Sequence, residues 1–354
     1  MYRIFKRLFA CALFLPLGAH ASQGQPGFVD PLDAPAVMVP APQTYPLIAV
    51  AQAGSRLVAV GPRGLIVTSD DGGLSWTQAS VPVQSDLVAV QFTDARTGWA
   101  AGHDSVILQT TDGGRNWTKQ LDGMSARKIF EENYNKRIAA GDNSLSADLQ
   151  EIQANFDPGP ILPWLGLQFT SATAGFAIGP FGDLAYTSDG GKIWTPWLDH
   201  IDDPNFYDLN AIGVAGGNVY IVGEQGTVYI YDPKNQKFLA RNTQYQGSLF
   251  GLVGHDKTLI VFGLRGSIFR STDQGKNWTQ SQNPSSSTIM DGTLLPNGHF
   301  VLVTVDGIEL VSVDDGESFQ PAGSPQGAPL SGVIARGGSL VITSLGGIRH
   351  APGA

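Results

Sequence analysis

Short apolar runs separated by glycine-rich turns fill the chain from Leu47 onward. Leu47 to Gln52, Arg56 to Gly61 and Gly64 to Ser69 read as three strands, and Trp76 opens a fourth after a tight turn. Leu87 to Phe92, Gly98 to Gly102, Val106 to Thr111 and Trp117 repeat that order. A third unit starts near Leu165 and passes Gly175 to Gly179, Leu184 to Ser188 and Trp194. The fourth runs from Leu209 to Phe238, the fifth and sixth end at Trp278 and Phe319, and a seventh begins at Leu330. The strand pattern breaks once, between Asp122 and Pro160, where Leu145, Leu149, Ile152 and Phe156 mark one face of a helix. Before them, Ser125 is placed to cap a helix carrying Ile129, Phe130, Tyr134 and Ile138, with Gly141-Asp142-Asn143 as the break.

One turn recurs in five near-copies: Ser69 to Trp76, Thr110 to Trp117, Thr187 to Trp194, Ser271 to Trp278 and Ser312 to Phe319. Each reads hydroxyl, any, Asp, any, Gly, any, any, aromatic, and residues 76 and 117, like 278 and 319, lie 41 positions apart. Every fixed position has a mechanical cause. Asp71, Asp112, Asp189, Asp273 and Asp314 can accept backbone N–H groups of their own turn. Gly73, Gly114, Gly191, Gly275 and Gly316 suit a positive φ, and Trp76, Trp117, Trp194, Trp278 and Phe319 supply apolar plates to bury. The pattern is the Asp-box of sialidase-like propellers. In the fourth unit Tyr231-Asp232-Pro233-Lys234-Asn235 replaces it, and an Asp-Pro-x-Asn turn closes the same hairpin.

These elements predict an all-β, seven-bladed β-propeller over residues 47–354, with a helical insertion at 123–160 between blades 2 and 3. Six or eight blades also suit the length. The last unit lacks a fourth strand, so residues 22–46 are expected to close the ring, with Phe28 to Val39 as the outer strand of the last blade. The insertion should overlie the face opposite the Asp-boxes, beside the Gly-x-x-Gly turns between second and third strands.

Composition changes the picture at the N-terminus. Arg3, Lys6 and Arg7 precede the apolar run Leu8 to Leu17 and the small-residue site Ala19-His20-Ala21, so residues 1–21 read as a cleavable signal peptide and the periplasm as the destination. Cys11, the only cysteine, sits too early for a lipoprotein box, and no lipid anchor is expected. Cleavage takes the 22 basic residues to 19 against 31 acidic ones, a net charge of −12, which disfavours nucleic acid as a partner. The six histidines are scattered and form no metal-ligand pair, and no cofactor is expected.

Two further signatures carry a family resemblance. Phe92-Thr93-Asp94-Ala95-Arg96-Thr97-Gly98-Trp99-Ala100-Ala101-Gly102 and its echo Phe169 to Gly179 resemble the F-x-D-x-x-x-G-W-A-V-G stretch of the photosystem II assembly and stability factor family. Gly61-Pro62-Arg63-Gly64 and Gly263-Leu264-Arg265-Gly266 are similar to that family's turns between second and third strands. The resemblance implies a non-enzymatic scaffold that assists assembly of a membrane protein complex from the exported side. It also implies that arginine-bearing turns contact a client subunit. Relatives in non-photosynthetic bacteria are associated with resistance-nodulation-division type permeases, so a membrane transport complex is the expected client and a monomer the expected state. The other turns read Gly102-His103-Asp104-Ser105, Gly179-Pro180-Phe181-Gly182 and Gly223-Glu224-Gln225-Gly226, so the arginines are only partly kept.

A partner-binding face would then draw on the turn residues Arg63, His103, Phe181, Glu224 and Arg265. Residues of the inter-blade links join them: Trp164, Trp197, Phe206, Tyr207, Arg241 and Tyr245. The rival reading is a sialidase-like glycoside hydrolase, in which Arg63, Arg265, Tyr207 and Glu224 converge on a sugar, or a carbohydrate-binding propeller using the same face. Against the hydrolase, the Arg-Ile-Pro signature of sialidases is absent and no Arg occurs between Arg7 and Arg56.

Overall fold

The computed structural model describes residues 29–323, 325 and 327–353, so the expected signal peptide, Cys11 and Phe28 lie outside the described residues. Among the described residues there are seven antiparallel sheets, six of four strands and one of three, each ordered from inner to outer strand along the chain. The inner strands are Ala49–Ala53, Leu87–Phe92, Gly166–Phe169, Leu209–Ala215, Leu249–His255, Ile289–Leu294 and Leu330–Arg336. Each packs on the next and the last packs on the first, which closes the ring into seven blades.

The seam is where the structure departs from expectation. The last blade keeps three strands, Leu330–Arg336, Ser339–Ser344 and Gly347–Pro352, and residues 29–39 form no strand. That segment lies instead along the outer edge of blade 1. Gln78 Nε2 donates to Val37 O at 2.9 Å, Val39 N donates to Gln78 Oε1 at 2.9 Å, and Ala36 N donates to Val81 O at 3.0 Å. Pro31, Pro35, Pro40 and Pro42 remove donors that a ladder would need, which favours capture by a side chain over strand pairing. The ring closes by lateral contact. Leu47 N donates to Ser344 O at 3.1 Å and Ser331 Oγ to Leu47 O at 2.7 Å, while Val341, Ile334 and Ile348 pack against Leu47, Val50 and Leu57.

The Asp-boxes have the expected geometry and a second use. In blade 1, Gly73 N donates to Ser69 Oγ at 2.8 Å, Ser75 N to Asp71 Oδ1 at 2.9 Å and Trp76 Nε1 to Gly73 O at 2.9 Å. Such bonds hold the carboxylates ionised. Hydrogen bonds from the Asn277 side chain and backbone lower Asp273 to about 2, and the bonds from Ser75 and Ser69 hold Asp71 well below the usual carboxylate range. Boxes also offer a carbonyl to the blade before them. Arg56 Nη1 of blade 1 donates to Gly113 O at 3.0 Å, Gln109 Nε2 of blade 2 to Gly190 O at 3.1 Å, and Arg270 Nε of blade 5 to Asp315 O at 2.7 Å. Blade 4 lacks the box, and Asn235 Nδ2 donates to Asp232 Oδ2 at 2.6 Å in its place.

At the opposite rim the first glycine of the second-to-third-strand turn is sterically required. A Cβ on Gly102 would stand 1.9 Å from Asp86 O, and one on Gly223 would stand 2.3 Å from Asp208 O. The carbonyls of these glycines latch the next blade: Leu87 N donates to Gly61 O, Trp164 N to Gly102 O and Leu209 N to Gly179 O at 3.0–3.1 Å.

The insertion forms α1, Gly123–Ala139, and α2, Ser146–Phe156. Asp122 caps α1 in place of Ser125, which stands at the third helical position and completes a capping box. Phe130, Tyr134, Leu145, Ile152 and Phe156 share one core with Trp99, Trp164, Phe169 and Trp194 of the blades. Gly123 N donates to Asp104 O at 2.8 Å, which sets the helices beside the second-to-third-strand turns as expected.

Replacing Gly102 by Ala drives a methyl into Asp86 O and should cost about 1–3 kcal/mol. Urea unfolding of Gly102→Ala measures this beside the control Gly338→Ala, whose glycine has open space around it. Equal midpoints for the two variants would refute the steric assignment.

Candidate functional site

The face that carries the second-to-third-strand turns holds five loops of one backbone shape, four ending in glycine and the blade 2 turn using Asp104 and Ser105 at φ of 59° and 51°. Arg63, Phe181, Gln225 and Arg265 each take a left-handed backbone, with φ of 57°, 54°, 54° and 57°. A glycine follows each one, Gly64, Gly182, Gly226 or Gly266, also at positive φ. Left-handed backbone at a non-glycine residue carries strain of about 1 kcal/mol. The next blade stabilises it. Arg63 N donates to Asp86 Oδ1 at 2.8 Å and Phe181 N to Asp208 Oδ1 at 2.9 Å, each acceptor standing just before an inner strand. The side chains of Arg63, Phe181 and Arg265 are exposed.

The structure sorts the expected site residues. Arg63, His103, Phe181 and Arg265 share this face, one on each of blades 1, 2, 3 and 5. Glu224 is half-buried and accepts from Asp208 N at 3.2 Å. The outward position of blade 4 is Gln225, which the glycine spacing of the repeat would have identified. Trp197 is buried, stacked on Tyr186 at 4.4 Å and His200 at 4.1 Å, so it packs blade 3 rather than meeting a partner. Trp164 is buried too, its Nε1 donating to Ser105 O at 3.0 Å. Arg241 lies on the outer strand Lys237–Asn242, not on an inter-blade link. Tyr207 and Tyr245 are half-buried; the hydroxyl of Tyr245 donates to Leu264 O at 3.1 Å, and Phe206 packs beside the insertion core. Arg63, Arg265, Tyr207 and Glu224 are distributed over the turn of blade 1, the turn of blade 5, the link into blade 4 and the turn of blade 4.

Sequence reasoning missed two features of this face. The N-terminal segment builds a recess of about 200 Å³ beside Arg63, walled by Val37, Val39, Tyr45, Pro62, Leu65 and Gln78. No sequence signal marks it, because the segment's path is set by the Gln78 side chain. Beside blade 3, α2 covers Asp183, whose Oδ1 accepts from Asn155 Nδ2 at 2.9 Å. Burial, with the nearby Glu151 charge, pushes the Asp183 carboxyl up to about 7 against the Asn155 hydrogen bond.

Known proteins share this architecture. The sequence profile described as photosynthesis system II assembly factor YCF48 matches residues 37–135 and 150–322. The photosystem II assembly lipoprotein Ycf48 of Synechococcus sp. (strain CC9902) is 34% identical over 258 residues, covering 65% of this chain and 74% of that protein. The chloroplastic photosystem II stability/assembly factor HCF136 of Arabidopsis thaliana is 24% identical over 205 residues, 51% of each chain. A solved structure of YCF48 bound to D1 peptide aligns over 91% of this chain and 99% of its own with a TM-score of 0.62 at 17% identity, a likeness of fold.

Two measurements probe this face. Asp183 binds a proton in the fold between its ordinary value of 3.8 and about 7, so its contribution to stability is full below pH 4 and lost as pH rises to 7. Asp183→Asn keeps the acceptor for Asn155 and should melt higher than the parent at pH 8 but not at pH 4. A constant difference across that range would reject the buried acid. Gln225→Gly should relieve left-handed strain and add up to about 1 kcal/mol in chemical denaturation; a loss of stability would show that the Gln225 side chain itself holds the turn.

Proposed function

This chain belongs to the photosynthesis system II assembly factor YCF48 family, and on that footing we propose that it is a non-enzymatic scaffold whose turn face holds a polypeptide segment of a membrane protein complex during assembly. One observation carries the reading. Residues of different chemistry, Arg63, Phe181, Gln225 and Arg265, project from strained loops of one shape on one face, and the bonds that lock these loops at Arg63 and Phe181 use only the backbone N–H. Strain kept at exposed positions is a mark of function. Arg and aromatic side chains on rigid supports are the usual anchors of protein interfaces.

The acids that draw attention in the sequence are spent on structure. Asp71, Asp112, Asp189, Asp273 and Asp314 each accept from the hydroxyl that opens the box and from backbone N–H groups of their own turn. The spread of Arg63, Arg265, Tyr207 and Glu224 around the ring likewise favours an extended contact over a sugar pocket. A relative whose structure holds a D1 peptide supports a polypeptide as the ligand class. The signal-like residues 1–21 favour action on the exported side of the membrane, in the periplasm; the transport complex expected as client rests on the family resemblance alone.

Crosslinking in intact cells followed by mass spectrometry should recover a membrane protein subunit. Capture by the double variant Arg63→Glu, Arg265→Glu should fall about tenfold, the effect of losing interface anchors worth somewhat over 1 kcal/mol. Undiminished capture by a folded double variant removes the two arginines from the interface.

A further inference from the structure

Blade 7 differs from the other six at the position that receives a fourth strand. In blades 1 to 6 the third-strand residues Val67, Leu108, Ala185, Tyr229, Phe269 and Leu310 pair with Gln78, Lys119, Pro196, Ala240, Gln280 and Pro321 of the outer strand. All six are buried apolar or aromatic residues. The matching residue in blade 7 is Arg349, paired on its inner side with Ile342. Its Nη2 lies 3.5 Å from Glu309 Oε1 of blade 6, while its Nη1 is buried without a hydrogen-bond partner. A groove of about 420 Å³ runs alongside, bordered by Glu309, Val311, Ala322, Arg349, His350 and Pro352.

We infer that this edge is a β-addition site for an extended segment of a partner polypeptide, with a carboxylate side chain placed opposite Arg349. The inference rests on the reading of the propeller as a polypeptide-binding scaffold, and it names a second place and a second chemistry for that binding. The backbone is arranged for the purpose. Ile66 O, Leu184 O and Ile268 O each accept from the outer segment of their own blade, from Ala79 N, Trp197 N and Ser281 N at 2.8–3.0 Å. Ile348 holds the matching place in blade 7. Outer strands of this propeller are as short as Thr77–Gln78 and Thr279–Gln280, so a few residues of guest suffice. Main-chain bonds supply affinity in such additions, and side-chain pockets supply selectivity. Here the selective element is a guanidinium with an unused N–H, which an acidic side chain satisfies by a charge-assisted hydrogen bond.

The described part of the N-terminal segment, residues 29–46, follows another path. Lys119 Nζ of blade 2 donates to Leu32 O at 3.0 Å, so the segment enters two blades away from this edge. Among the described residues it meets blade 7 at Pro42–Thr44, where Gln43 and Thr44 abut Gly347 and close one end of the seat.

The test is fluorescence anisotropy of a labelled, end-capped peptide alternating valine and glutamate, titrated with the full chain. Saturable binding is expected. Arg349→Gln should weaken it at least about tenfold, and so should Arg349→Leu, which restores the residue type that the other blades bury and therefore keeps the fold. A peptide with N-methyl groups on alternate amides, or with lysine for glutamate, should not bind. Equal affinity in Arg349→Leu, or binding of the N-methylated peptide, overturns the proposal. Self-association of the chain that Arg349→Leu abolishes, with no peptide binding, also overturns it by naming a second copy as the occupant. Crosslinking of the client separates the two readings: if Arg349→Leu captures it as the parent does and the peptide fails to bind, the edge proposal falls and the turn-face scaffold stands. If neither protein captures a client, the scaffold reading falls.

Discussion

Backbone latches between neighbouring blades are the interaction on which the rest of this structure depends. Several outer strands are only two residues long, and a sheet that thin holds itself poorly. Blades are therefore tied to their neighbours at both rims. At one rim the carbonyls of Gly61, Gly102 and Gly179 accept amides that lead into the following blade. At the other, side chains such as Arg56, Gln109 and Arg270 reach into the Asp-box of the following blade. The Asp-box is thus a turn and a socket together: its carboxylate closes the hairpin, and the constrained backbone presents a carbonyl that a neighbour can find. Between the rims, apolar faces fill the gaps, as where Trp99 of blade 2 stacks on Phe169 of blade 3 with centroids 3.5 Å apart.

Much of this was legible in the sequence because its causes are local. Asp71, Gly73 and Trp76 act within one turn, so their spacing alone declares the hairpin, and five copies at a regular period declare the ring. The insertion declared itself through the apolar faces at Phe130, Tyr134, Ile152 and Phe156. What failed depended on neighbours distant in the chain. Trp197 looks like an interface anchor until Tyr186 and His200 are found stacked on it, beside Phe176 and Tyr231. Residues 29–39 look like a strand until Gln78 is found holding their backbone. The choice of Glu224 over Gln225 was of another kind: the spacing Gly223-x-x-Gly226 contained the answer, since the residue before the second glycine takes the left-handed, outward place in blades 1, 3, 4 and 5.

The insertion is less an appendage than a second wall of blades 2 and 3. Its apolar residues share a core with Trp164 and Trp194, and its polar ones reach the blade through buried or half-buried bonds. Tyr134 donates to Asp199 Oδ1 at 2.8 Å, and Arg137 Nη2 meets Asp199 Oδ2 at 2.6 Å. Such pairs, and the Asn155–Asp183 bond beneath α2, are costly to break because each leaves a polar group desolvated and unpaired. They fix one docking geometry where apolar packing alone would permit several. The helices are consequently fixed to blades 2 and 3 and border the turn face on that side.

The economy of the turn face lies in what its latches leave free. Gly61 and Gly102 are constrained by the approach of a carbonyl, and Gly64 and Gly182 by a positive φ. The residue between the constraints contributes only its N–H, to Asp86 at Arg63 and to Asp208 at Phe181. At these two turns the side chain is thus exempt from the folding problem, whereas Asp104 in the same left-handed place of blade 2 accepts from Ser85 Oγ at 2.7 Å. A propeller built this way can change the chemistry of its turn face by changing a handful of exposed residues while every glycine and Asp-box stays in place. That is why a repeat grammar strong enough to declare the family and the fold says little about a client: the positions that specify architecture and those left free to vary are interleaved in one turn, yet governed by separate physical demands.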